Sequence, residues 1–392
     1  MFKGEKLQEL RLLHGMSRAD LAEKLSITEQ AIWQFETNKV SPKISPTVLS
    51  LSKLFKVDLR FFEGQPLTSY VNRGNIAFRN GDIVSKKTIQ MQEVYVNVVH
   101  SLIQRLENYL VTPPKTIYSI VEDVEEKLGN QQLTKEEIRE VAFEVRERLG
   151  ISIHNDDILY QLEMSGINIL SRFMPEGSSA DAYSLWTKDE VPYLVLAIGK
   201  SYARRNFDLA HELGHLLLHR SVDFEFLDKK EHEEKEQEAN EFASHFLLPE
   251  AQFRKAFEKI VGNKVSNPDK YIALKQHFNV SIQALEYKAY RLGYLTAAQN
   301  NYFYRQIYKK GYKVYEPLDR EIPVVKPGKI LSMLDIILEN EISLQTLLYS
   351  LSISKDMLAS ILNVEPSYFN KYISQEKNYS QIIKLIKNNR EA

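Results

Sequence analysis

The sequence predicts a mostly α-helical protein with one small α+β domain, and three observations support this fold class. In residues 1–66 and 301–392, apolar residues recur at the spacing of a helix in short segments. Between them, the run Pro192–Ile198 is short and apolar, as is typical of a buried strand. A long segment of helical period follows from about Asn206. A buried strand leading into a helix indicates a mixed domain with a short sheet in the middle of the chain.

The composition is that of an ordinary globular protein and excludes several kinds of site. The 392 residues suggest two to four domains, and 51 basic side chains balance 52 acidic ones. Cysteine is absent, which excludes disulfide scaffolds, thiol nucleophiles, Cys-type zinc fingers and iron–sulfur clusters. Any metal must therefore be bound by His, Asp or Glu. Without a signal-peptide pattern or a run of 18 apolar residues, we expect a cytoplasmic protein with no membrane partner.

Changes in composition and pattern divide the chain into four predicted regions. The first is a set of short helices, the second a helical connector, the third a mixed α+β domain and the fourth a helical C-terminal region. For the fourth, Ser354–Tyr372 has the spacing of two helices joined by a turn, so a partner-binding bundle and a second helix-turn-helix module both stay open. The predicted boundaries are 1–66, 67–139, 140–300 and 301–392.

The N-terminal region predicts two short helices joined by a tight turn. Gly15 ends a first leucine-containing helix, and Ser17 can cap a second helix that runs to Leu25. Ser26–Thr28 is a three-residue turn, and Thr28 can cap a third helix to about Asn38. Such a pair has helix-turn-helix geometry, in which the second helix enters the DNA major groove.

The residues that this geometry points towards DNA lie on the third helix. Glutamine suits bidentate contact with adenine, and nearby lysine and arginine can reach phosphates. The alternative from periodicity alone is a small helical bundle that binds a protein or nothing. The candidate DNA contacts are Thr28, Glu29, Gln30, Trp33, Gln34 and Lys39, with Lys6, Arg11 and Lys43 as further phosphate contacts.

The run MSRADLAEKLSITEQAIWQFETNK resembles the Xre/Cro family of helix-turn-helix domains. The shared features are a Ser cap, an A-x-x-L in the second helix, and Ile32 and Glu36 in the third. The resemblance implies binding to double-stranded operator DNA and a structural role for Glu36. The third helix departs from the family in having no basic residue before Lys39. Ten basic and eight acidic residues in 1–66 predict modest phosphate affinity, so we expect a homodimer on a paired site.

The clearest chemical motif in the chain is His211-Glu212-Leu213-Gly214-His215. Positions i and i+4 of a helix share a face, so the two imidazoles can bind one metal ion. The intervening Glu212 can accept a proton from water. The alternative is a pair of buried histidines without metal, which would lose hydration unless other groups satisfied them.

A catalytic zinc site needs a third protein ligand, and the sequence alone leaves its identity open. His219 lies eight residues from His211, about 12 Å along the helix axis, so it is a poor third ligand. The helix predicted at about Glu231–Leu248 carries an apolar side formed by Ala239, Phe242, Ala243 and Phe246. On the same helix, any of three carboxylates could turn inward: Glu234, Glu238 and Glu241.

Two linked segments, RNFDLAHELGHLLLH and EQEANEFASHFLLP, resemble the ImmA/IrrE family of zinc-dependent endopeptidases. The resemblance spans about residues 140–295 and implies a zincin-like fold. It also implies Zn²⁺ held by His211, His215 and Glu238, a gluzincin-like set, with Glu212 as the catalytic general base. Members of this family cleave Xre-type repressors, so it implies a protein substrate such as a repressor encoded nearby, or the chain itself.

Three functional hypotheses remain from the sequence. The first is a zinc endopeptidase with a DNA-targeting domain, and the retained Glu212 favours it because a structural zinc site needs no general base. The second is a transcriptional regulator whose peptidase-like domain senses a ligand and does not cut. The third is an antitoxin-like module that binds a partner.

For the peptidase hypothesis, a side chain that stabilises the oxyanion of the reaction is also needed. The candidates are Tyr183, Tyr193 and His245, which the sequence does not rank.

Overall fold

The computed structural model of the chain describes residues 1–72, 77–78, 86–129, 133–173 and 182–373. The described residues fall into two compact units. One takes Met1–Val71, Val84–Pro113 and the chain from Ile330 onward, and the other takes Asn72–Ile83 and Pro114–Lys329. The predicted connector therefore contributes to both units, and the predicted C-terminal region divides between them. Residues 374–392 of that region lie outside the described residues, and the four-domain division stays a prediction.

The α-helices and the strands of the described residues are each numbered in chain order. The helices are α1 (Gly4–Leu13), α2 (Arg18–Leu25), α3 (Glu29–Glu36), α4 (Leu49–Phe55), α5 (Lys86–Glu107), α6 (Ile117–Leu128), α7 (Lys135–Leu149), α8 (Ile158–Ser165), α9 (Tyr202–Leu218), α10 (Lys229–Leu247), α11 (Glu250–Ile260), α12 (Ile272–Phe278), α13 (Ile282–Arg291), α14 (Ala297–Lys309), α15 (Lys329–Asn340), α16 (Leu344–Leu351) and α17 (Lys355–Leu362). The strands are β1 (Ala77–Phe78), β2 (Asn168–Arg172), β3 (Ala182–Trp186) and β4 (Pro192–Ala197).

Capping side chains define the short N-terminal helices as the sequence predicts. The Ser17 hydroxyl accepts a hydrogen bond from the Asp20 amide, and the Asp20 carboxylate accepts one from the Ser17 amide, which together start α2. Ser26 then adopts φ 53° and ends α2. The Thr28 hydroxyl accepts from the Ala31 amide at 3.1 Å and starts α3. The predicted three-residue turn therefore joins α2 to α3.

The C-terminal helices of the first unit pack on its N-terminal helices. Val57 and Ile353 form an isolated antiparallel bridge between two turns. Beside it, Lys56 forms an exposed ion pair with Asp356 at 3.1 Å. On α5, the Tyr95 hydroxyl donates to the Ile361 carbonyl at 3.2 Å. These contacts attach α16 and α17 to the same compact unit as α1–α4.

The second unit contains a small mixed sheet with the strand order β1-β3-β4-β2. Strand β4 runs parallel to β2 and antiparallel to β3, and β1 pairs antiparallel with β3. Every residue of β3 and β4 is buried, so β4 confirms the buried strand predicted at Pro192–Ile198. Helix α9 packs on β3 and β4. The sheet thereby supports the helix that carries the H-E-x-x-H motif.

Helix α10 lies between α9 and α7 and is held there by its apolar side. Ala239, Phe242, Ala243 and Phe246 are all fully buried, as the sequence predicts for this side. Helix α9 begins at Tyr202, earlier than the predicted start near Asn206, because the Ser201 hydroxyl caps it. The packed pair α9 and α10 forms the frame of the candidate site.

The predicted fold class is confirmed. The chain is mostly helical, with a helix-turn-helix region at its N-terminus and a small sheet in the central part. Among the residues that the structure describes, no helix is both long enough and apolar enough to cross a membrane.

Candidate metal centre and nucleic-acid interface

Helix α9 places the two motif histidines on one buried face. His211 and His215 are one turn apart, and their Nε2 atoms lie 3.1 Å from each other. Both side chains are almost completely buried. The Phe207 ring stacks on the His211 ring with a centroid distance of 5.9 Å, which limits the orientation of that imidazole. The helical spacing therefore brings two ligand nitrogens to one point, as predicted.

The carboxylate that meets the two histidines belongs to Glu236 of α10. Its Oε1 lies 3.2 Å from His215 Nε2, and its Oε2 lies 3.6 Å from His211 Nε2. In the described part of the chain, these three residues form a buried group whose ligand atoms all lie within 4.8 Å of one another and could hold a metal ion. Glu236 Oε1 is buried and has no hydrogen bond in the described chain. A buried carboxylate oxygen without a hydrogen bond beside two imidazole nitrogens fits a cation ligand.

Glu238, which the resemblance implies as the third ligand, does not join the two histidines in the structure. The Glu238 carboxylate lies instead 2.7 Å from His219 Nε2 and 3.0 Å from Lys235 Nζ. The physical reason is the register of α10 against α9. Glu236 lies one turn before Ala239, on the line where the helices approach most closely, whereas Glu238 is turned towards the end of α9. The other two carboxylates considered, those of Glu234 and Glu241, pair with Lys230 and with His245 and Arg291.

His219 lies outside the His-His-Glu group, as its distance along the helix predicts. It follows α9 as the C-cap, and its Nδ1 lies 3.0 Å from His215 Nδ1. Burial lowers the pKa of His219 to about 4, although the hydrogen bond to Glu238 opposes this change. Burial would raise the pKa of Glu238, but its hydrogen bonds with His219 and Lys235 outweigh burial and lower it. Near neutral pH, the pair is therefore a neutral imidazole beside a carboxylate.

Two polar residues that the sequence reasoning missed touch the motif. The Ser184 hydroxyl on β3 lies 2.7 Å from Glu212 Oε2 and donates to it. On α10, Asn240 Oδ1 accepts from His211 Nδ1 at 3.1 Å. Asn240 follows Glu236 by one helical turn, so both face α9. This i, i+4 spacing beside the small residue Ala239 was a signal that could have identified Glu236.

The three candidate oxyanion groups lie in different surroundings. Tyr183 and Tyr193 are fully buried in β3 and β4. His245 Nε2 lies 3.0 Å from Glu241 Oε1, and its Nδ1 lies 3.2 Å from Lys288 Nζ. None of the three joins the His-His-Glu group of the described residues.

The residues predicted to contact DNA lie on the outer face of α3 or next to its ends. Thr28, Glu29, Gln30 and Lys39 are exposed, and Trp33 and Gln34 are half-exposed. The Lys39 ammonium lies 4.1 Å from the centre of the Trp33 ring, a cation–π contact. Four of these residues belong to α3, Thr28 is its N-cap, and Lys39 follows it.

The opposite face of α3 is held by buried residues. Ile32 is completely buried, and the Glu36 carboxylate receives hydrogen bonds from Arg11 and Arg18. The structure corrects two expected phosphate contacts. Arg11 is buried against Glu36, and the buried Lys6 pairs with Glu9 at 2.6 Å, so neither side chain is presented to DNA. Lys43 is exposed.

The fold and the two sites define a class of protein: a DNA-binding helix-turn-helix regulator that also carries a metallopeptidase-type domain. Family comparisons agree with this class. Residues 7–62 match the helix-turn-helix family model, and residues 163–290 match the model of the IrrE N-terminal-like peptidase domain. The chain therefore joins an Xre-type helix-turn-helix domain to an ImmA/IrrE-type domain, which confirms the predicted fusion. A comparison with curated proteins finds no match.

Proposed function

We propose that this protein is a cytoplasmic transcriptional regulator whose central domain is a zinc-dependent endopeptidase. The observation that carries the proposal is the meeting of His211, His215 and Glu236 in one buried group beside Glu212. Two imidazoles and one carboxylate are one of the ligand sets found in catalytic zinc sites, which keep a fourth position for water or substrate. The ligand set proposed here replaces Glu238 with Glu236.

His211, His215 and Glu236 would hold the zinc, which would supply a Lewis acid for the scissile carbonyl and lower the pKa of a bound water towards neutrality. The part of Glu212 in the reaction is that of a general base. Its carboxylate accepts the proton of the attacking water and passes it to the leaving amine. The Ser184 hydroxyl, at 2.7 Å from Glu212 Oε2, orients the carboxylate from the sheet side.

The DNA-binding half of the proposal assigns operator recognition to α3. Gln30 and Gln34 read base edges, Lys39 contacts phosphate, and Thr28, Glu29 and Trp33 line the same surface. The exposure of this face, opposite the buried Ile32, supports the assignment. A homodimer on a paired site supplies the phosphate contacts that one copy lacks.

The test of the peptidase function is Glu212→Gln, which keeps the shape of the side chain and removes the general base. The parent or the variant is co-expressed with candidate repressors encoded nearby, and cleavage is followed by mass spectrometry. The parent is expected to cut one candidate, or itself, at one bond. The variant should still bind zinc but leave that protein intact. If parent and variant leave every candidate intact and both shift operator DNA equally, the protein is a regulator that does not cut.

A further inference from the structure

We propose that Glu238 and His219 form a hydrogen-bonded relay that holds His215 in the tautomer required of a metal ligand. The inference rests on the proposed zinc site, because the relay acts on one of its ligands. Neither residue belongs to the His-His-Glu group of the described chain. Both are positioning residues, since Glu238 acts through His219 and His219 acts through His215.

The relay is a line of three side chains that ends at the metal group. Glu238 Oε2 lies 2.7 Å from His219 Nε2, and His219 Nδ1 lies 3.0 Å from His215 Nδ1. On the other side of its ring, His215 Nε2 lies 3.1 Å from His211 Nε2 and 3.2 Å from Glu236 Oε1. Each ring nitrogen of His215 and of His219 therefore lies close to a polar partner. The line connects the Glu238 carboxylate to Nε2 of His215, its proposed ligand atom.

The chemistry of Glu238 sets the direction of every hydrogen bond in the line. An ionised carboxylate only accepts, so the proton between Glu238 and His219 sits on His219 Nε2. A histidine that binds a metal through Nε2 carries its proton on Nδ1, so His215 Nδ1 donates to His219 Nδ1. His215 Nε2 is then left with its lone pair, the state in which histidine binds a metal.

The other histidine ligand reaches the same state by a shorter route. Asn240 Oδ1 only accepts, so His211 Nδ1 donates to it at 3.1 Å and His211 Nε2 keeps its lone pair. Ligand histidines commonly donate their second N–H directly to a carboxylate or carbonyl oxygen. At His215, the imidazole of His219 lies between the ligand and the carboxylate. Glu238 therefore influences the tautomer of His215 indirectly, through His219.

The surroundings exclude water from the relay and keep it ordered. The His219 side chain is 0% exposed and that of Glu238 is 12% exposed, so little solvent reaches their hydrogen bond. The Phe224 ring lies edge-on to the rings of His215 and His219, at centroid distances of 5.7 and 6.4 Å. Lys235 Nζ, at 3.0 Å from Glu238 Oε2, favours the ionised carboxylate. Hydrogen bonds with so little access to solvent are electrostatically stronger than hydrogen bonds in water.

The experiment compares zinc binding by the full-length parent with that of Glu238→Leu and His219→Phe. Glu234→Gln is the matched control, because it removes a carboxylate from the exposed side of the same helix. Zinc stoichiometry is measured by metal analysis, and the dissociation constant by competition with a chelator. We expect the two relay variants to bind one zinc about 10–100-fold more weakly, the usual effect of losing a group that supports a ligand. The control should bind as the parent does.

A second readout reports the hydrogen-bond direction in the zinc-bound protein. In the zinc-bound parent, ¹⁵N NMR of the histidine rings should show His215 protonated at Nδ1 and His219 protonated at Nε2. In Glu238→Leu, the His219 ring should show mixed tautomers. The double variant should bind zinc no more weakly than the worse single variant, because the two residues act in one line. His219→Gln keeps an acceptor and should recover part of the affinity.

The following outcomes distinguish a failure of the relay hypothesis from a failure of the proposed zinc site. If the parent binds zinc and the folded relay variants bind it equally tightly, the relay is wrong and the zinc site stands. If the parent binds no zinc, the proposed function and the relay fail together. If Glu238→Leu does not fold, Glu238→Gln keeps the side-chain shape but removes the directing charge. It should still weaken zinc binding several-fold, and an unchanged affinity would reject the relay.

Discussion

Gly214 of α9 faces Phe242 of α10 so closely that even the methyl group of an alanine would make a tight contact. A Cβ atom at position 214 would lie 3.2 Å from Phe242 Cδ1 and 3.3 Å from the Ala239 Cα. Helix α9 carries the two motif histidines, and α10 carries Glu236. The contact between Gly214 and Phe242 therefore sets the distance between the proposed metal ligands.

The first prediction concerns Gly214→Ala. Overpacking costs about 1–3 kcal/mol, while the better helix propensity of alanine returns about 1 kcal/mol. We expect a modest net loss of stability in urea unfolding and a loss of zinc affinity, because Phe242 and the α10 backbone at Ala239 must shift by a few tenths of an ångström. Unchanged zinc affinity would show that this contact does not position Glu236.

The residues of α9 show why part of the site could be predicted from sequence. The spacing of His211, Glu212 and His215 lies within one helix, and a helix has one geometry. The third ligand depends on how α10 docks on α9, which is a tertiary relationship. Because α10 carries carboxylates on several faces, a carboxylate would have faced α9 in almost any register. The packing of Ala239 and Phe242 against α9 is what places Glu236 beside the two histidines.

The second prediction concerns the buried charges of the helix-turn-helix domain. In Glu36→Gln, the guanidinium of Arg11, which is 8% exposed, loses its charged partner. Breaking a buried ion pair in this way costs about 3–5 kcal/mol. Hydrogen exchange of the full chain should show faster exchange of amides in α1–α3. The control Glu29→Gln changes an exposed carboxylate on the same helix and should leave the exchange as in the parent.

The third prediction concerns pH and Glu286, which is completely buried on α13. Burial raises the pKa of Glu286 to about 7, and Tyr304 lowers it only in part. The folded state thus binds a proton more tightly than the unfolded state, whose carboxyl has a pKa of about 4.5. This contribution to stability is present below pH 4.5 and is lost as the pH rises to about 7.

The test of that dependence is Glu286→Gln, which stays neutral at every pH. Each pKa unit corresponds to about 1.4 kcal/mol, so the variant should gain up to about 3 kcal/mol relative to the parent between pH 4.5 and pH 8. Chemical unfolding at both pH values measures the gain. An equal stability difference at the two pH values would contradict the expectation.

The fourth prediction concerns the salt dependence of binding to non-specific duplex DNA. Lys39→Ala should reduce the slope of log K against log salt by about one, because Lys39 is exposed beside α3. Lys6→Met is the matched control: Lys6 is buried against Glu9, so its loss should leave the slope unchanged. A reduced slope in Lys6→Met would restore Lys6 as a phosphate contact.

Lys6 and Arg11 also show the limit of sequence reasoning in the DNA-binding domain. Basic residues near a recognition helix are expected to reach phosphates, and the exposed Lys39 and Lys43 fit that expectation. Arg11 instead completes the internal pair with Glu36, and Lys6 pairs with Glu9 on its own helix. The pattern of charges along the chain does not distinguish a side chain that faces solvent from one that neutralises a buried partner.

The most direct measurement of the central claim is the zinc content of three matched variants on α10: Glu236→Ala, Glu238→Ala and Glu234→Ala. We predict that Glu236→Ala loses the zinc. Glu238→Ala should retain one zinc with weaker affinity, and Glu234→Ala should bind as the parent does. A Glu236→Ala protein that keeps its zinc, beside a Glu238→Ala protein that loses it, would contradict the proposed metal centre.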